Sequence, residues 1–199
     1  MNSLSSIRVQ LEQSLSQKRF YHSCCVADFS RELAQRHGAD PDKAYLAGLV
    51  HDCCKEFPKE QQLALIRQYH IPLTVMEEAE PNIWHGYAAS GYIREYFGIT
   101  DDEVCAAVQY HTCGRGGMSL LEKIVFVADL TSADRNYPDS CKIHRIALTD
   151  LSLAIYHSYL FIIPFIIKRK GFITQNTLDC YNDAVRQCSD NKGGIACEC

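Results

Sequence analysis

Asp129 stands in Ile124-Val-Phe-Val-Ala-Asp129-Leu130, an apolar run in which an ionised side chain has no obvious place. The run opens at Ser119-Leu-Leu-Glu122. That is a capping-box pattern, so the segment reads as a helix from Ser119 to about Ser132. An ionised carboxylate buried without a partner costs far more than the roughly 2–7 kcal/mol of an unpaired neutral polar group. A buried Asp129 therefore needs a cation or hydrogen-bond donors, and these must come from other parts of the chain. Its position raises the odds for a metal.

The rest of the chain reads as helix after helix. Ile7, Leu11 and Leu15 share one face of a short amphipathic helix. A second helix runs from Lys18 to His37 and stops at Gly38. Asp40-Pro41 reads as an N-cap followed by proline in the first turn, opening a helix that passes His51-Asp52 and ends about Glu56, before Pro58. Lys59 to Tyr69 follows. Asn82 is expected to cap a helix carrying His85 to Phe97, and Thr100 or Asp101 another that ends near His111. Gly114-Arg-Gly-Gly117 reads as a loop and Asn136 to Asp139 as a turn. One long helix is predicted from about Cys141 to Lys170, kinked at Pro164, and a last one from Thr174 to Cys188. No segment alternates like a strand, and no internal repeat or long linker appears. The expectation is an all-α fold with one domain over residues 1–189 and a disordered tail over 190–199.

Composition excludes some functions. There are 20 Lys and Arg against 24 Asp and Glu, for a net charge of −4, with no basic face visible. Non-specific nucleic-acid binding needs many cations facing phosphates, so no nucleic-acid partner is expected. The most apolar run, Leu160 to Ile167, is interrupted by Pro164 and falls far short of the roughly 20 residues of a membrane span. It reads as a buried helix segment, and no membrane partner is expected. MNSLSSIRVQ lacks a charged segment followed by an apolar one, so no signal peptide is predicted. Eleven cysteines, an odd number, include the adjacent pairs Cys24-Cys25 and Cys53-Cys54. No CxxC pair recurs at zinc-finger spacing. They read as reduced, mostly buried thiols in a cytoplasmic protein, with Cys197 and Cys199 in a frayed terminus.

Six residues qualify as partners in one site: His22, His51, Asp52, His85, His111 and Asp129. Apart from the adjacent His51-Asp52 pair, each lies in or at the end of a different expected helix. A helical bundle can bring such dispersed side chains to one point. Imidazole and carboxylate together suit iron, manganese, cobalt or zinc. Taken singly, each has a bland explanation, and His37, His70, His144 and His157 keep it.

At these residues the chain resembles the HD superfamily, in which the order His…His-Asp…Asp is supplied here by His22, His51-Asp52 and Asp129. Within it, the chain is most similar to the YqeK-type HD proteins, known as symmetrical bis(5'-nucleosyl)-tetraphosphatases. The segments that carry the resemblance are KRFYHS (18–23), AGLVHDCCKE (47–56), WHGYAAS (84–90), FGITDDEV (97–104), HTCGRGGMSLLEKIVFVADL (111–130) and TLDCYNDA (177–184). Two departures stand out. The family reads Glu-Pro where this chain has Ser132-Ala133, and Cys113 replaces a threonine. Loss of a carboxylate near the site is expected to weaken metal affinity or rate.

The resemblance implies a single HD-domain helical bundle and a metal-dependent hydrolase. It implies one or two iron ions, for which manganese or cobalt can substitute. His22, His51, Asp52 and Asp129 would hold one ion. His85 and His111, with Asp52 bridging, would hold a second or contact phosphate. The substrate implied is diadenosine tetraphosphate, cut into two ADP by attack of hydroxide generated on the metal, which lowers the pKa of bound water toward about 7. Asp52, Lys55, His85 and His111 are the expected catalytic group. Lys55, one helical turn past His51, is expected to bind phosphate, along with Arg19, Arg135 and Thr112. Glu56 and Phe57 are expected to line the nucleotide pocket beside Lys55. Thr174 and Thr177 would face the substrate, or simply begin the last helix. A homodimer is also allowed. Two alternatives remain: another HD nucleotide phosphohydrolase, or a nucleotide-binding regulatory module whose turnover is reduced.

Overall fold

The computed structural model describes residues 3–137 and 139–190. Among them the regular elements are all helices, in the order α1 (Leu4–Ser14), α2 (Gln17–His37), α3 (Pro41–Val50), α4 (Lys59–Gln68), α5 (Val75–Glu78), α6 (Trp84–Tyr96), α7 (Asp102–Tyr110), α8 (Leu120–Thr131), α9 (Ser140–Ala147), α10 (Leu151–Lys168) and α11 (Gln175–Asp190). The capping residues read from the sequence act as expected at several ends. Asp40 accepts from Asp42 and Lys43, Asp101 from Glu103 and Val104, and Ser119 and Glu122 complete the capping box.

α8 is the central helix. It packs against α2, α3, α7, α9 and α10. Ile124, Val125, Phe126, Val127 and Ala128 are all fully buried, as a helix apolar on every side must be. The same burial fixes where Asp129 emerges. Two glycines set the helix spacing around it. A Cβ on Gly48 would come within 2.8 Å of Ala27 Cα, so α3 lies directly on α2. A Cβ on Gly86 would meet Gln109 O at 2.8 Å and His111 Cε1 at 3.3 Å, so α6 can lie against α7 only with glycine there.

Several expectations need correction. The third helix stops at Val50 rather than about Glu56. From there the chain makes successive tight turns, with Cys53 N, Lys55 N and Phe57 N donating to Val50 O, Asp52 O and Cys54 O. The long helix expected over 141–170 is two helices. Asp150 accepts from Leu153 N at 2.9 Å and starts α10 afresh. Asn82 does not cap α6, because its side-chain amide donates to Glu80 Oε1 at 2.6 Å. α5 is an addition, closed by a capping box between Thr74 and Glu77.

The run from Leu160 to Ile167 is not buried. Leu160, Phe165 and Ile167 are each more than half exposed, and only Ile166 is buried. The first half of α10 is core, with Leu151, Ala154, Ile155 and Tyr159 buried; in its second half Ile162 and Ile163 pack against the core but are only partly buried. By length and apolarity alone α10 matches a membrane-crossing helix, with 39% of its residues buried. Among the described residues, Cys24, Cys25, Cys53, Cys54, Cys105, Cys113, Cys141 and Cys180 are free thiols, most of them buried. The tail expected to be disordered lies, from residue 191 onward, outside the described residues, as do Cys197 and Cys199. Asp190 still belongs to α11.

Candidate metal centre and active site

Five helices deliver six side chains to one place. α2 brings His22, the turn after α3 brings His51 and Asp52, α6 brings His85, the end of α7 brings His111, and α8 brings Asp129. His22 Nε2 lies 3.0 Å from Asp129 Oδ1. His51 Nε2 lies 3.4 Å from Asp52 Oδ2 and 3.7 Å from Asp129 Oδ1. The other oxygen of Asp52 faces the second histidine pair, 3.3 Å from His85 Nε2 and 3.5 Å from His111 Nε2. Asp52 thus divides its two oxygens between two groups of histidines. Two triads have their ligand atoms within 4.8 Å of one another: His22, His51 and Asp129, and His51, Asp52 and His111.

The ring tautomers follow from the backbone. His51 and His111 each follow the last residue of a helix, where carbonyls lack an intrahelical partner. His51 Nδ1 donates to Gly48 O and His111 Nδ1 to Val108 O, both at 2.7 Å. Each ring is left with a lone pair on Nε2 aimed into the cluster. His51 Nε2 and Asp52 Oδ1 are buried and have no hydrogen-bond partner. A buried acceptor pair without a donor is unfavourable, and a bound cation removes the problem. His22 gives the same answer. Its two ring nitrogens face two carboxylates, Asp134 and Asp129. A neutral ring has only one N–H, so its other nitrogen turns a lone pair toward an anion, a place where a cation is needed and where Arg135 Nη2 stands in the structure. The donor set fits a divalent metal ion.

The electrostatics agree. Burial opposes charge on His51, but Asp52 and Asp129 outweigh it and push the ring up to about 10, so without a metal a proton takes the place on Nε2 that a bound cation would take. Burial also resists ionisation of the two carboxyls, yet His51 and His111 hold Asp52, and His22 and His51 hold Asp129, well below the usual carboxylate range. The cluster is built to attract positive charge. His85 goes the other way: burial and the charge of Lys55 push it well below the usual histidine range, so it is neutral.

Cations surround the cluster. Arg19 Nη1 donates to Asp52 Oδ2 at 2.5 Å. Arg135 pairs with the Asp129 carboxylate, donates through Nε to Asp129 O at 2.7 Å, and donates through Nη2 to His22 Nε2 at 3.2 Å. Lys55 Nζ lies 3.0 Å from His85 Nε2, and Thr112 Oγ1 lies 3.1 Å from the same atom.

Lys55, His111, Thr112 and Asp129 form one end of a cavity of about 310 Å³. Its other walls include Phe161, Phe165 and Phe172, with Thr174 and Thr177 beside them. Thr174 also starts α11, accepting from Thr177 N at 3.3 Å. The structure places Glu56 and Phe57 elsewhere. The Glu56 carboxylate is taken by Ser16 N and Ser16 Oγ at 2.8 and 2.6 Å, and Phe57 packs edge-on against Tyr92. Neither lines the cavity. Sequence reasoning misses the aromatic wall, because Leu160 to Ile167 reads as core. It also misses Asp134, whose carboxylate meets His22 Nδ1 at 2.8 Å and accepts from Ser132 Oγ at 2.7 Å. A carboxylate therefore stands at this edge of the cluster even though residue 132 is serine.

The HD-domain family model matches residues 19–134, a span that covers the whole cluster. The symmetrical bis(5'-nucleosyl)-tetraphosphatase of Bacillus subtilis is 33% identical over 172 residues, 86% of this chain and 92% of that protein. This chain belongs to the HD-domain family of symmetrical bis(5'-nucleosyl)-tetraphosphatases. A second member, from Halalkalibacterium halodurans, is 36% identical over 168 residues, 84% of this chain and 89% of that one. A crystal structure from Clostridium acetobutylicum, described as a predicted HD superfamily hydrolase involved in NAD metabolism, superimposes with a TM-score of 0.90. It shares 33% identity and covers 94% of this chain and 99% of its own. The all-α HD fold expected from the sequence is borne out.

Proposed function

We propose that this protein is a metal-dependent hydrolase that cuts diadenosine tetraphosphate symmetrically into two ADP. One observation carries the reading: a cluster of four histidines and two aspartates opens, past Lys55 and Thr112, into a cavity walled by three phenylalanines. The polar end suits a polyphosphate and the aromatic end suits a nucleobase, which stacks on side-chain rings. The family relationship agrees.

His22, His51, Asp52 and Asp129 hold the metal in this reading. His85 and His111, with the second oxygen of Asp52, hold a second ion or contact phosphate. Iron is the proposed metal, with manganese or cobalt as substitutes. When bound, it supplies Lewis-acid charge and a nucleophile at neutral pH. The chain's own residues do the rest. Lys55, Arg19, Arg135 and Thr112 bind and orient phosphate oxygens. Neutral His85 offers Nε2 as a proton acceptor beside the Lys55 ammonium. Phe161, Phe165 and Phe172, with Thr174 and Thr177, hold the nucleoside and keep water from that end. Hydrolysis of the central anhydride adds one water, with its oxygen on one of the two middle phosphorus atoms, and breaks the bridging P–O bond. Two ADP result.

The free thiols fit a reducing cytoplasm. The net charge of −4 argues against nucleic acid as a partner. The test combines elemental analysis of the purified protein with product analysis on diadenosine tetraphosphate. Two ADP per substrate and a bound transition metal are expected. AMP plus ATP, or turnover unaffected by complete metal removal, would overturn the reading.

A further inference from the structure

We propose that Asp134 is a positioning residue that sets the ring of His22 for metal binding, and that Ser132 holds Asp134 in that role. The inference rests on the metal site of the proposed function and concerns residues outside its ligand set.

The three histidines His22, His51 and His111 solve the same problem in two ways. His51 and His111 sit just past the ends of α3 and α7, and each gives its Nδ1 hydrogen to a carbonyl three residues back. Such carbonyls are free only near a helix end. His22 lies inside α2, where the carbonyls of the preceding turn are engaged in the helix itself. Its ring needs an acceptor from elsewhere in the chain. Asp134 Oδ2 fills that place at 2.8 Å, arriving from the turn after α8. The remaining oxygen, Asp134 Oδ1, accepts from Ser132 Oγ at 2.7 Å, so the carboxylate is tethered on both sides. His22 and Ser132 are both buried, which keeps water from replacing either contact.

This arrangement decides the tautomer. With the hydrogen on Nδ1, the lone pair of His22 lies on Nε2, next to Asp129 Oδ1. Arg135 Nη2, which can only donate, points at the same Nε2 and is consistent with a lone pair there. A carboxylate behind a ligating imidazole also raises its basicity more than a carbonyl does, and removing such a partner commonly weakens metal binding about 10–100-fold. His22 is the one ligand of this kind whose second nitrogen meets a charged acceptor.

The test measures cobalt(II) affinity by absorbance titration and by competition with a chelator, in the purified full chain. Asp134→Ala is expected to bind about 10–100-fold more weakly than the native protein, with helix content of the metal-free protein unchanged. Asp134→Asn, which keeps an acceptor oxygen for His22, is expected to recover part of the loss. A purely structural role would lower the melting temperature of the metal-free protein while leaving cobalt affinity of the folded protein within twofold of native; that result overturns the proposal. Should Asp134→Ala fail to fold, Ser132→Ala loosens the carboxylate without removing it. It is expected to weaken cobalt binding about fivefold, the effect of one lost hydrogen bond, and native affinity in this variant overturns the proposal equally. His51→Ala serves as the reference. If it keeps the metal, the proposed metal site itself is wrong. If it loses the metal while Asp134→Ala retains full affinity, only the present inference falls.

Discussion

Lys55 Nζ stands 3.0 Å from His85 Nε2, a cation held against a buried, neutral imidazole at the edge of the phenylalanine-walled cavity. The contact leaves most of the ammonium's hydrogen-bonding capacity unused, and the cavity is where an anion would take it up. Replacing Lys55 by alanine is expected to raise KM for diadenosine tetraphosphate about 10–100-fold, the effect of a lost charge-assisted hydrogen bond. Bound metal should be unchanged, since the amine touches only His85 within the cluster. Steady-state kinetics with parallel elemental analysis checks both halves, and an unchanged KM removes Lys55 from the phosphate site.

Asp52 joins the two histidine groups, so its loss should be felt at both. Asp52→Ala is expected to abolish stoichiometric metal and lower turnover by a factor on the order of 10³ or more, since a catalytic metal can contribute several kcal/mol. The helices should survive, because the core around α8 is formed by apolar residues that do not depend on the site. Elemental analysis and circular dichroism report the two outcomes separately. Full activity in this variant would sink the metal mechanism.

The half-exposed rings of Phe165 and Phe172 predict a split between binding and stability. Alanine at either position removes little core packing, so the melting temperature should stay within a few degrees. Base stacking contributes about 1–3 kcal/mol, so KM for the dinucleotide should rise roughly 5–150-fold. Hydrolysis of inorganic tripolyphosphate, which has no base, should be indifferent to the change if the protein accepts it. Equal KM values for native and variant on the dinucleotide would place the nucleoside elsewhere.

Much of this site can be read from the sequence because buried chemistry leaves a local trace. Asp129 interrupts an apolar helix, and His51-Asp52 ends another, so each residue is conspicuous among its neighbours. Other features leave none. Thr149 and Asp150 look like ordinary polar positions on one long helix, yet Asp150 caps α10 and turns the chain. Apolar periodicity marks the face of α10 that avoids charge, but it does not say whether that face meets the core or borders a cavity, and Leu160 to Ile167 takes the second course. Glu56 follows Lys55 in sequence, but the chain turns there and its carboxylate caps α2 through Ser16. Asp134 sits in a polar turn where an aspartate draws no notice. Its importance depends on a histidine more than a hundred residues earlier.

Glu80 gives the cavity wall a dependence on pH. Its carboxylate is buried and accepts from Arg169 Nη1 at 3.0 Å, from Phe172 N at 2.9 Å and from the Asn82 amide at 2.6 Å. It therefore ties the turn between α10 and α11 to the segment before α6. Burial alone would raise its pKa, but the hydrogen bonds from Asn82, Arg169 and Phe172 prevail and hold it below the ordinary glutamate value of 4.5. A carboxyl whose pKa is lower in the folded than in the unfolded chain adds stability that is fully present above 4.5 and is lost as the pH falls through the folded value. Glu80→Gln should thus be less stable than the native protein at neutral pH, by about 2 kcal/mol for the lost charge-assisted bonds. The difference should shrink as the pH falls below 4.5 and through the lowered folded value, where the native carboxyl is itself protonated. Urea denaturation of the two metal-free proteins across this range measures it. A gap that stays constant with pH would mean that the Glu80 charge contributes nothing to holding the wall.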